Sequence, residues 1–256
     1  MGKVIPIDKS IIPACDVMLD VFEEIVEETA DVEKVGAYKV GVSFLDIGLK
    51  IVVDTARKYT NKPIIYDHQK AGTDIHELVP DKFMDAMLKS RIDAVILFPE
   101  AGPVTQYEWT IAAQKRDLGV IVGGEMTHPR YLEDDLSEGK NKNYTQIFGD
   151  IGIEKNLTGY MRKFAPDDMY ELATKMDVTD FVVPGNKPEK IKHYKTLIID
   201  CGCSKPSFFS PGFVAQGGEI SGGAKAAGKR FHGIIGRGIY QVDNKRQAAI
   251  ELTGKL

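Results

Sequence analysis

The feature that most constrains the fold is a regular alternation of short apolar runs with longer amphipathic stretches along the whole chain. The apolar runs have the length of buried strands, about four to eight residues. Strands that are apolar on both faces and alternate with helices are typical of parallel sheets covered on both sides. Eight such units in 256 residues predict an α/β fold, a closed (β/α)₈ TIM barrel, because that barrel needs about 250 residues.

The pattern also predicts where the elements lie. The sequence predicts strands at 10–16, 37–42, 63–67, 94–98, 119–123, 181–184, 208–210 and 233–236, and helices at 17–29, 44–59, 80–90, 104–118, 167–176 and 244–252. Residues 196–200 also have the composition of a strand, which leaves the sixth helix and the seventh strand open. We expect one barrel domain over 1–256, with an insertion at about 131–162.

The insertion is polar, rich in Lys, Asn, Gly and Tyr, and has little periodicity. Loops of this length are either functional or disordered. Since it follows the fifth strand, we expect it at the C-terminal face of the barrel, where it is a lid, an oligomer contact or a surface decoration. A second polar stretch, the charge run at 187–195, predicts a solvated helix face.

Composition excludes several classes of protein. A net charge of −4 argues against a nucleic-acid partner, which requires a basic face. The absence of an apolar run of about 20 residues argues against a membrane span. Three cysteines and a short polar N-terminus indicate a reduced, cytoplasmic protein. Cys201 and Cys203 have no further ligands at zinc spacing, so we predict no metal site.

Two glycine-rich segments near the C-terminus predict a phosphate site. They read Ser-Pro-Gly-Phe-Val-Ala-Gln-Gly-Gly-Glu at 210–219 and Gly-Ile-Ile-Gly-Arg-Gly-Ile-Tyr at 233–240. Glycine lets the backbone approach an anion, and the loops after strands seven and eight of a barrel often bind phosphate. Arg237 adds a guanidinium fork and Gln216 an amide donor. The alternative is that these glycines only permit tight turns.

Charged residues at the ends of strands two and three predict a catalytic centre. Lys39 lies on strand two, and Asp67, Lys70 and Asp74 follow strand three. The ends of both strands open at the same mouth of a barrel. A lysine between carboxylates stays protonated, so it can give a proton to a carbanion. A carboxylate beside an anionic substrate group raises the energy of that ground state. The alternative is an ordinary cluster of salt bridges.

These residues resemble the orotidine 5′-phosphate decarboxylase family in its archaeal form. The matching segments run from about residue 11 to residue 252, apart from the insertion. They are Cys15-Asp16, Lys39-Val40-Gly41, Asp74-Ile75, Glu125-Met126-Thr127-His128-Pro129, Pro211-Gly212, Gln216-Gly217-Gly218 and Gly236-Arg237-Gly238-Ile239-Tyr240.

The resemblance implies a homodimeric barrel that decarboxylates orotidine 5′-phosphate to uridine 5′-phosphate, in pyrimidine biosynthesis, without metal or organic cofactor. It implies that Lys70 protonates C6 while Asp67 faces the departing carboxylate. Lys39 and Asp74 complete the charge network, with Asp74 supplied by the partner subunit. For the rest of the nucleotide it implies contacts to the ribose (Asp16), to the pyrimidine (Thr127) and to the phosphate (Pro211, Gly212, Gln216, Gly236 and Arg237).

The sequence departs from the family at the catalytic segment. The family reads Asp-x-Lys-x-x-Asp, whereas Asp67, Lys70 and Asp74 are each one residue further apart. Because residues i and i+3 of a strand face opposite sides, a bulge would have to re-aim Asp67 or Lys70. His68 has the regular spacing from Lys70 and is the alternative to Asp67. The loop after strand six also differs, with Pro184-Gly185-Asn186 in place of Pro-Ser.

Two other functions remain open. Magnesium-dependent sugar-phosphate aldolases or decarboxylases share this barrel, but they resemble the chain less, because they place Glu where Lys39 stands. Mg²⁺ prefers oxygen ligands, and an ammonium repels it. A non-catalytic barrel that binds a nucleotide phosphate is the third possibility, and the altered Asp67–Lys70–Asp74 spacing favours it.

Overall fold

The structure is a computed structural model that describes residues 4–67, 74–75, 77–153, 155–213 and 219–256. Eight parallel strands form one sheet in the order β1-β8-β7-β6-β5-β4-β3-β2. The strands are β1 (Lys9–Pro13), β2 (Tyr38–Val40), β3 (Ile64–Asp67), β4 (Ala94–Leu97), β5 (Gly119–Gly123), β6 (Asp180–Val182), β7 (Ser207–Ser210) and β8 (Phe231–Ile235).

The sheet curls until its two edge strands meet. Between β1 and β2 the contact is made by single bridges, Ile11 with Val35 and Ala14 with Lys39. The amide of Cys15 donates to the carbonyl of Lys39 at 2.8 Å, and the amide of Gly36 donates to the carbonyl of Ile11 at 3.0 Å. The predicted (β/α)₈ TIM barrel is therefore confirmed.

Helices follow the strands and cover the outside of the barrel. They are α1 (Leu19–Thr29), α2 (Leu49–Ala56), α3 (Val79–Lys89), α4 (Pro103–Gln114), α5 (Tyr144–Asp150), α6 (Ala165–Lys175), α7 (Pro188–Asp200), α8 (Ile220–Ala227), α9 (Arg237–Tyr240) and α10 (Lys245–Thr253). A 3₁₀ turn, Val42–Phe44, follows β2.

Strand periodicity divides the core into two layers. Side chains alternate between the two faces of a strand, so neighbouring residues pack into different layers. The outer layer, between strands and helices, contains Val40, Val95 and Phe208, whereas the barrel interior contains Ile12 and Ile96. Val4 and Ile7 pack against the interior from the N-terminal end. The interior is therefore filled with apolar side chains below the mouth of the barrel.

The structure decides two points that the sequence left open. Residues 196–200 do not form a strand; they are the last turns of α7. Ile191, Tyr194 and Ile198 in α7 are buried at helical spacing, and this periodicity outweighs the local strand composition. The insertion is also more ordered than its polar composition indicates, because it contains α5.

The insertion folds around one arginine. The guanidinium of Arg130 donates to the carbonyl of Leu157 at 2.5 Å and to the hydroxyl of Thr145 at 2.6 Å. It forms an ion pair with Glu138 and lies 5.5 Å from the centre of the Phe148 ring. A polar segment can thus fold locally around a charge that is hydrogen-bonded on several sides.

The closure between β1 and β2 gives the first prediction. A Cβ at Gly36 would lie 2.7 Å from Ser10 Cβ, inside the closed barrel. We expect Gly36→Ala to lower the free energy of unfolding by about 1–3 kcal/mol, the usual cost of overpacking. The measurement is urea unfolding followed by circular dichroism.

Gly149→Ala is the matched control. This glycine lies in α5, and a Cβ there has nothing within 4 Å. We expect no loss of stability, because alanine is the better helix former by about 0.5–1 kcal/mol. Equal effects of the two substitutions would contradict the packing argument.

Candidate active site

The mouth of the barrel at the C-terminal ends of the strands contains a cavity of about 260 Å³. Active sites of this fold lie at this end. Eight of the residues that the sequence singles out line the cavity together: Asp16, Lys39, Asp67, Thr127, Pro211, Gly212, Gly236 and Arg237. Residues from the ends of six strands therefore converge on one space.

The centre of the cavity floor is a buried ion pair. Lys39 Nζ donates to Asp67 Oδ2 at 2.7 Å and lies 3.7 Å from Asp16 Oδ2. The side chains of Lys39 and Asp67 are only 10% and 9% exposed, whereas that of Asp16 is 54% exposed. The three charges thus form a row that runs from the interior to the opening.

The two-residue periodicity of β-strands puts both side chains of this ion pair on the inner face of the barrel. Ala37 and Ile65 face the barrel interior, so Lys39 and Asp67, two residues further along β2 and β3, face it one layer higher. Asp67 needs no bulge to point inward. It belongs to β3 and pairs with Ile96 of β4.

Electrostatics fix the protonation of Lys39. Burial disfavours the charged amine, but the carboxylates of Asp67 and Asp16 outweigh burial, and the pKa of Lys39 lies above its ordinary value of 10.5. Lys39 is therefore an ammonium at neutral pH. Within the described part of the chain, Asp67 Oδ1 is buried and has no hydrogen-bond partner. This oxygen is free to contact a ligand or a donor.

The side of the cavity where the sequence predicts a phosphate is formed after β7 and β8. Gly212 has φ +102°, a left-handed conformation that glycine adopts without strain. Gly236 leaves room for the ring of Tyr240, whose nearest atom would lie 3.2 Å from an added Cβ. Arg237 is exposed at the same opening. The backbone is thus close to the cavity on the side where a guanidinium is present.

The wall between β5 and β6 carries a residue to which the sequence analysis gave no role. Glu125 is 1% exposed, lines the cavity, and accepts from Lys187 Nζ at 2.7 Å and from the hydroxyl of Tyr194. The solvated face predicted for 187–195 is wrong for Lys187, which is 21% exposed and ion-paired. Only the tertiary structure reveals this pair, because 62 residues separate its members.

Several other lining residues also escaped the sequence analysis. They are apolar or aromatic side chains to which no role was assigned, although Met126, Phe213 and Tyr240 stand in the quoted segments: Ile96, Phe98, Met126, Val182, Phe213 and Tyr240. Phe98 packs against Gly123, where any side chain would overlap its ring. Ile96, Phe98, Met126 and Val182 form an apolar wall on the side of β4 to β6, of the kind that contacts a planar ring.

One described residue of the predicted set, Asp74, does not line this cavity. Asp74 is described and exposed, and it caps its own backbone by accepting from the amide of Ile75 at 2.6 Å. Lys70 and Gln216 lie outside the described residues, as does His68. Their predicted roles therefore stay predictions.

The described residues also show whether side chains are grouped in a way that could hold a metal ion. Across these ranges no group of three or more His, Cys, Asp or Glu side chains is arranged to hold a metal ion. The carboxylate oxygens nearest the cavity centre contact Lys39 instead. In the same part of the chain, no helix has the length and apolar character needed to cross a membrane.

Known proteins resemble the chain over almost its whole length. Two relatives are named orotidine 5′-phosphate decarboxylase: one from Methanococcus maripaludis is 29% identical over 237 residues, covering 90% of this chain and 91% of that protein. The other, from Methanocaldococcus jannaschii, is 27% identical over 227 residues, covering 88% of each.

A solved structure agrees. The crystal structure of orotidine 5′-monophosphate decarboxylase from Methanocaldococcus jannaschii complexed with inhibitor BMP has a TM-score of 0.74 and 26% identity, and the match covers 97% of this chain and 98% of that one. The chain is a homologue of the orotidine 5′-phosphate decarboxylases. No protein-family model matches it. The resemblance stated from the sequence is confirmed.

The buried pair gives the second prediction. Replacing Lys39 by Met leaves the Asp67 carboxylate buried beside an apolar side chain. We expect a loss of about 3–5 kcal/mol in the free energy of unfolding at pH 7, the usual cost of breaking a buried pair. Because the raised pKa keeps Lys39 charged, this loss should be the same at pH 9 and should shrink only above pH 10.5.

Lys50→Met is the control for that prediction. Lys50 Nζ also contacts a carboxylate, that of Asp54 at 2.6 Å, but its side chain is 65% exposed. Surface pairs contribute about 1 kcal/mol or less. Denaturant titrations of both variants measure the two losses of stability. A Lys39→Met variant as stable as the Lys50→Met variant would contradict the prediction.

Proposed function

We propose that the protein decarboxylates orotidine 5′-phosphate to uridine 5′-phosphate, with no metal and no organic cofactor, as a single barrel domain. The observation that carries the proposal is the buried Lys39–Asp67 pair at the centre of the cavity. It supplies fixed charges where an anionic substrate group would lie. The homologues over about 90% of the chain carry the name of this activity.

The nucleotide would lie across the cavity with its phosphate at the side of β7 and β8. The backbone of Gly212 and Gly236 and the guanidinium of Arg237 would contact the phosphate. Gln216 would add an amide donor. The orotate ring would then lie against the apolar wall, where Thr127 would contact it, and Asp16 would accept from a ribose hydroxyl.

The reaction breaks the bond between C6 and the carboxyl carbon. Its electron pair stays on C6 as carbon dioxide leaves, and Lys70 would deliver a proton to C6. Asp67 beside the substrate carboxylate would raise the energy of the ground state. The Lys39 ammonium donates to Asp67 Oδ2 and holds this side chain in place, while Asp67 Oδ1 has no hydrogen-bond partner among the described residues and would face the substrate.

In this proposal Asp74 acts in the active site of a second subunit. The segments after β2, β3 and β4, at the same end of the barrel as Asp74, expose apolar side chains. These side chains are 57–64% exposed: Val42, Leu45, Ile75, Leu78 and Val104. A patch of this kind typically marks a protein contact. We infer a homodimer in which this rim is buried and Asp74 completes the partner's charge network.

The proposal places the protein in the cytoplasm, in pyrimidine biosynthesis, where its small-molecule ligand is a nucleoside monophosphate. A magnesium-dependent sugar-phosphate reaction is disfavoured, because the Lys39 ammonium lies beside the Asp67 and Asp16 carboxylates and would repel a cation there. A non-catalytic nucleotide-binding barrel is the second candidate, which the longer Asp67–Lys70–Asp74 spacing motivates and the named homologues do not favour.

The third prediction concerns turnover. We expect the purified protein to consume orotidine 5′-phosphate, followed by absorbance, at the same rate with and without a chelator. Lys70→Ala should lower kcat by a factor of about 10²–10⁴ or more, as expected when a general acid is lost. Lys89→Ala is the control, an exposed lysine at the end of α3.

Three results would count against the proposal in different ways. Loss of turnover with the chelator would favour the magnesium reaction. No turnover by the unaltered protein, together with tight binding of uridine 5′-phosphate, would favour the non-catalytic barrel. Full activity of Lys70→Ala would remove Lys70 from the mechanism.

The fourth prediction concerns the dimer. Leu78→Glu places a charge in the apolar rim, so we expect it to shift the protein from dimer to monomer in analytical ultracentrifugation and to lower turnover with it. Ile151→Glu is the control, because Ile151 is 71% exposed but lies in the insertion. An unchanged dimer and unchanged turnover in Leu78→Glu would contradict this interface.

A further inference from the structure

Glu125 is the most completely enclosed carboxylate that lines the cavity. It follows β5, is 1% exposed, and uses both oxygens. Oε1 accepts from Lys187 Nζ at 2.7 Å, and Oε2 accepts from the hydroxyl of Tyr194. Burial, together with the neighbouring Tyr170 and Glu125, raises the pKa of Tyr194, so its phenol stays protonated and donates. Such an enclosed carboxylate is stable only with these partners.

Lys187 connects three separate segments. It immediately precedes α7, its ammonium contacts Glu125 at the end of β5, and it lies 4.0 Å from Asp135 in the insertion. Lys190 lies on the same helix, but its ammonium is 3.6 Å from Glu125, and its side chain is more exposed, at 35%. Lys187 is therefore the cation that links the cavity wall to the insertion.

The peptide that carries Thr127 is fixed from the same side. Asn186 Nδ2 donates to the Thr127 carbonyl at 3.2 Å. The amide of Gly124 donates to the hydroxyl of Tyr170 at 3.1 Å, and the hydroxyl of Tyr131 donates to the Gly124 carbonyl at 3.1 Å. Residues 124–127 are thus held by contacts from the insertion, α6 and the start of α7.

We propose that Lys187 is a positioning residue that fixes the 124–127 segment through Glu125. It thereby sets where Thr127 meets the base and couples the insertion to base binding. Lys187 does not line the cavity, so its effect passes through Glu125. The inference rests on the proposed function for the identity of the ligand, and it concerns the base and not the phosphate.

The test compares two ligands by calorimetry. Uridine 5′-phosphate carries the base, and ribose 5-phosphate lacks it. We expect Lys187→Met to weaken uridine 5′-phosphate binding about tenfold, the effect of roughly one misplaced hydrogen bond, and to leave ribose 5-phosphate binding unchanged. Lys187→Arg should restore most of the loss, and Lys190→Met is the matched control with little effect.

A general loss of structure would weaken the binding of both ligands alike, so it is distinguishable from a loss of positioning by Lys187. Because Lys190 is near enough to replace Lys187, the variant Glu125→Gln with Lys187→Met is measured as well. It removes both charges of the pair and keeps an acceptor for Tyr194. It should show the same base-specific loss. Unchanged uridine 5′-phosphate binding in both variants would overturn the proposal.

Hydrogen–deuterium exchange supplies a readout that needs no ligand. Lys187→Met should speed exchange of the amides in 124–128 and in 131–138, and Lys190→Met should not. Unchanged exchange there would also overturn the inference. If the unaltered protein binds neither ligand and does not decarboxylate orotidine 5′-phosphate, the proposed function fails, while exchange still decides whether Lys187 holds this segment.

Discussion

The structure of the site depends on one ion pair, Lys39 with Asp67, at 2.7 Å and almost out of contact with solvent. An isolated charge at this depth would be strongly unfavourable, so each member requires the other. The pair lies directly above the apolar filling of the barrel, because Ala37 and Ile65 occupy the layer below. The same periodicity that builds the core therefore delivers opposite charges to the mouth, where they face the cavity at fixed positions.

Around this pair the cavity divides into sides of different chemistry. The side of β7 and β8 offers backbone and the guanidinium of Arg237, which suit a phosphate. The side of β4 to β6 is apolar, and behind it the buried Glu125 is tied to Lys187. The insertion joins this second side through Tyr131 and Asp135. An anionic, ring-bearing ligand with a phosphate at one end matches this arrangement.

Much of this could be predicted from local sequence. The alternation of apolar runs predicts the barrel, because this signal depends on neighbouring residues, and the glycines beside Arg237 place that arginine at the mouth of the cavity, where a phosphate stays a prediction. The strand composition of 196–200 left the sixth helix open, and the helical spacing of Ile191, Tyr194 and Ile198 decides the conformation. Lys187 was assigned to a solvated face because nothing near it in the sequence indicates its partner. Pairs between distant segments, and apolar lining such as Phe98, become visible only in the folded chain.

The most direct test of the central claim is to follow the reaction of orotidine 5′-phosphate in D₂O by nuclear magnetic resonance. Proton delivery to C6 after loss of carbon dioxide predicts uridine 5′-phosphate that carries deuterium at C6, with one equivalent of carbon dioxide per nucleotide. Unaltered orotidine 5′-phosphate after prolonged incubation with folded, dimeric protein would contradict the account.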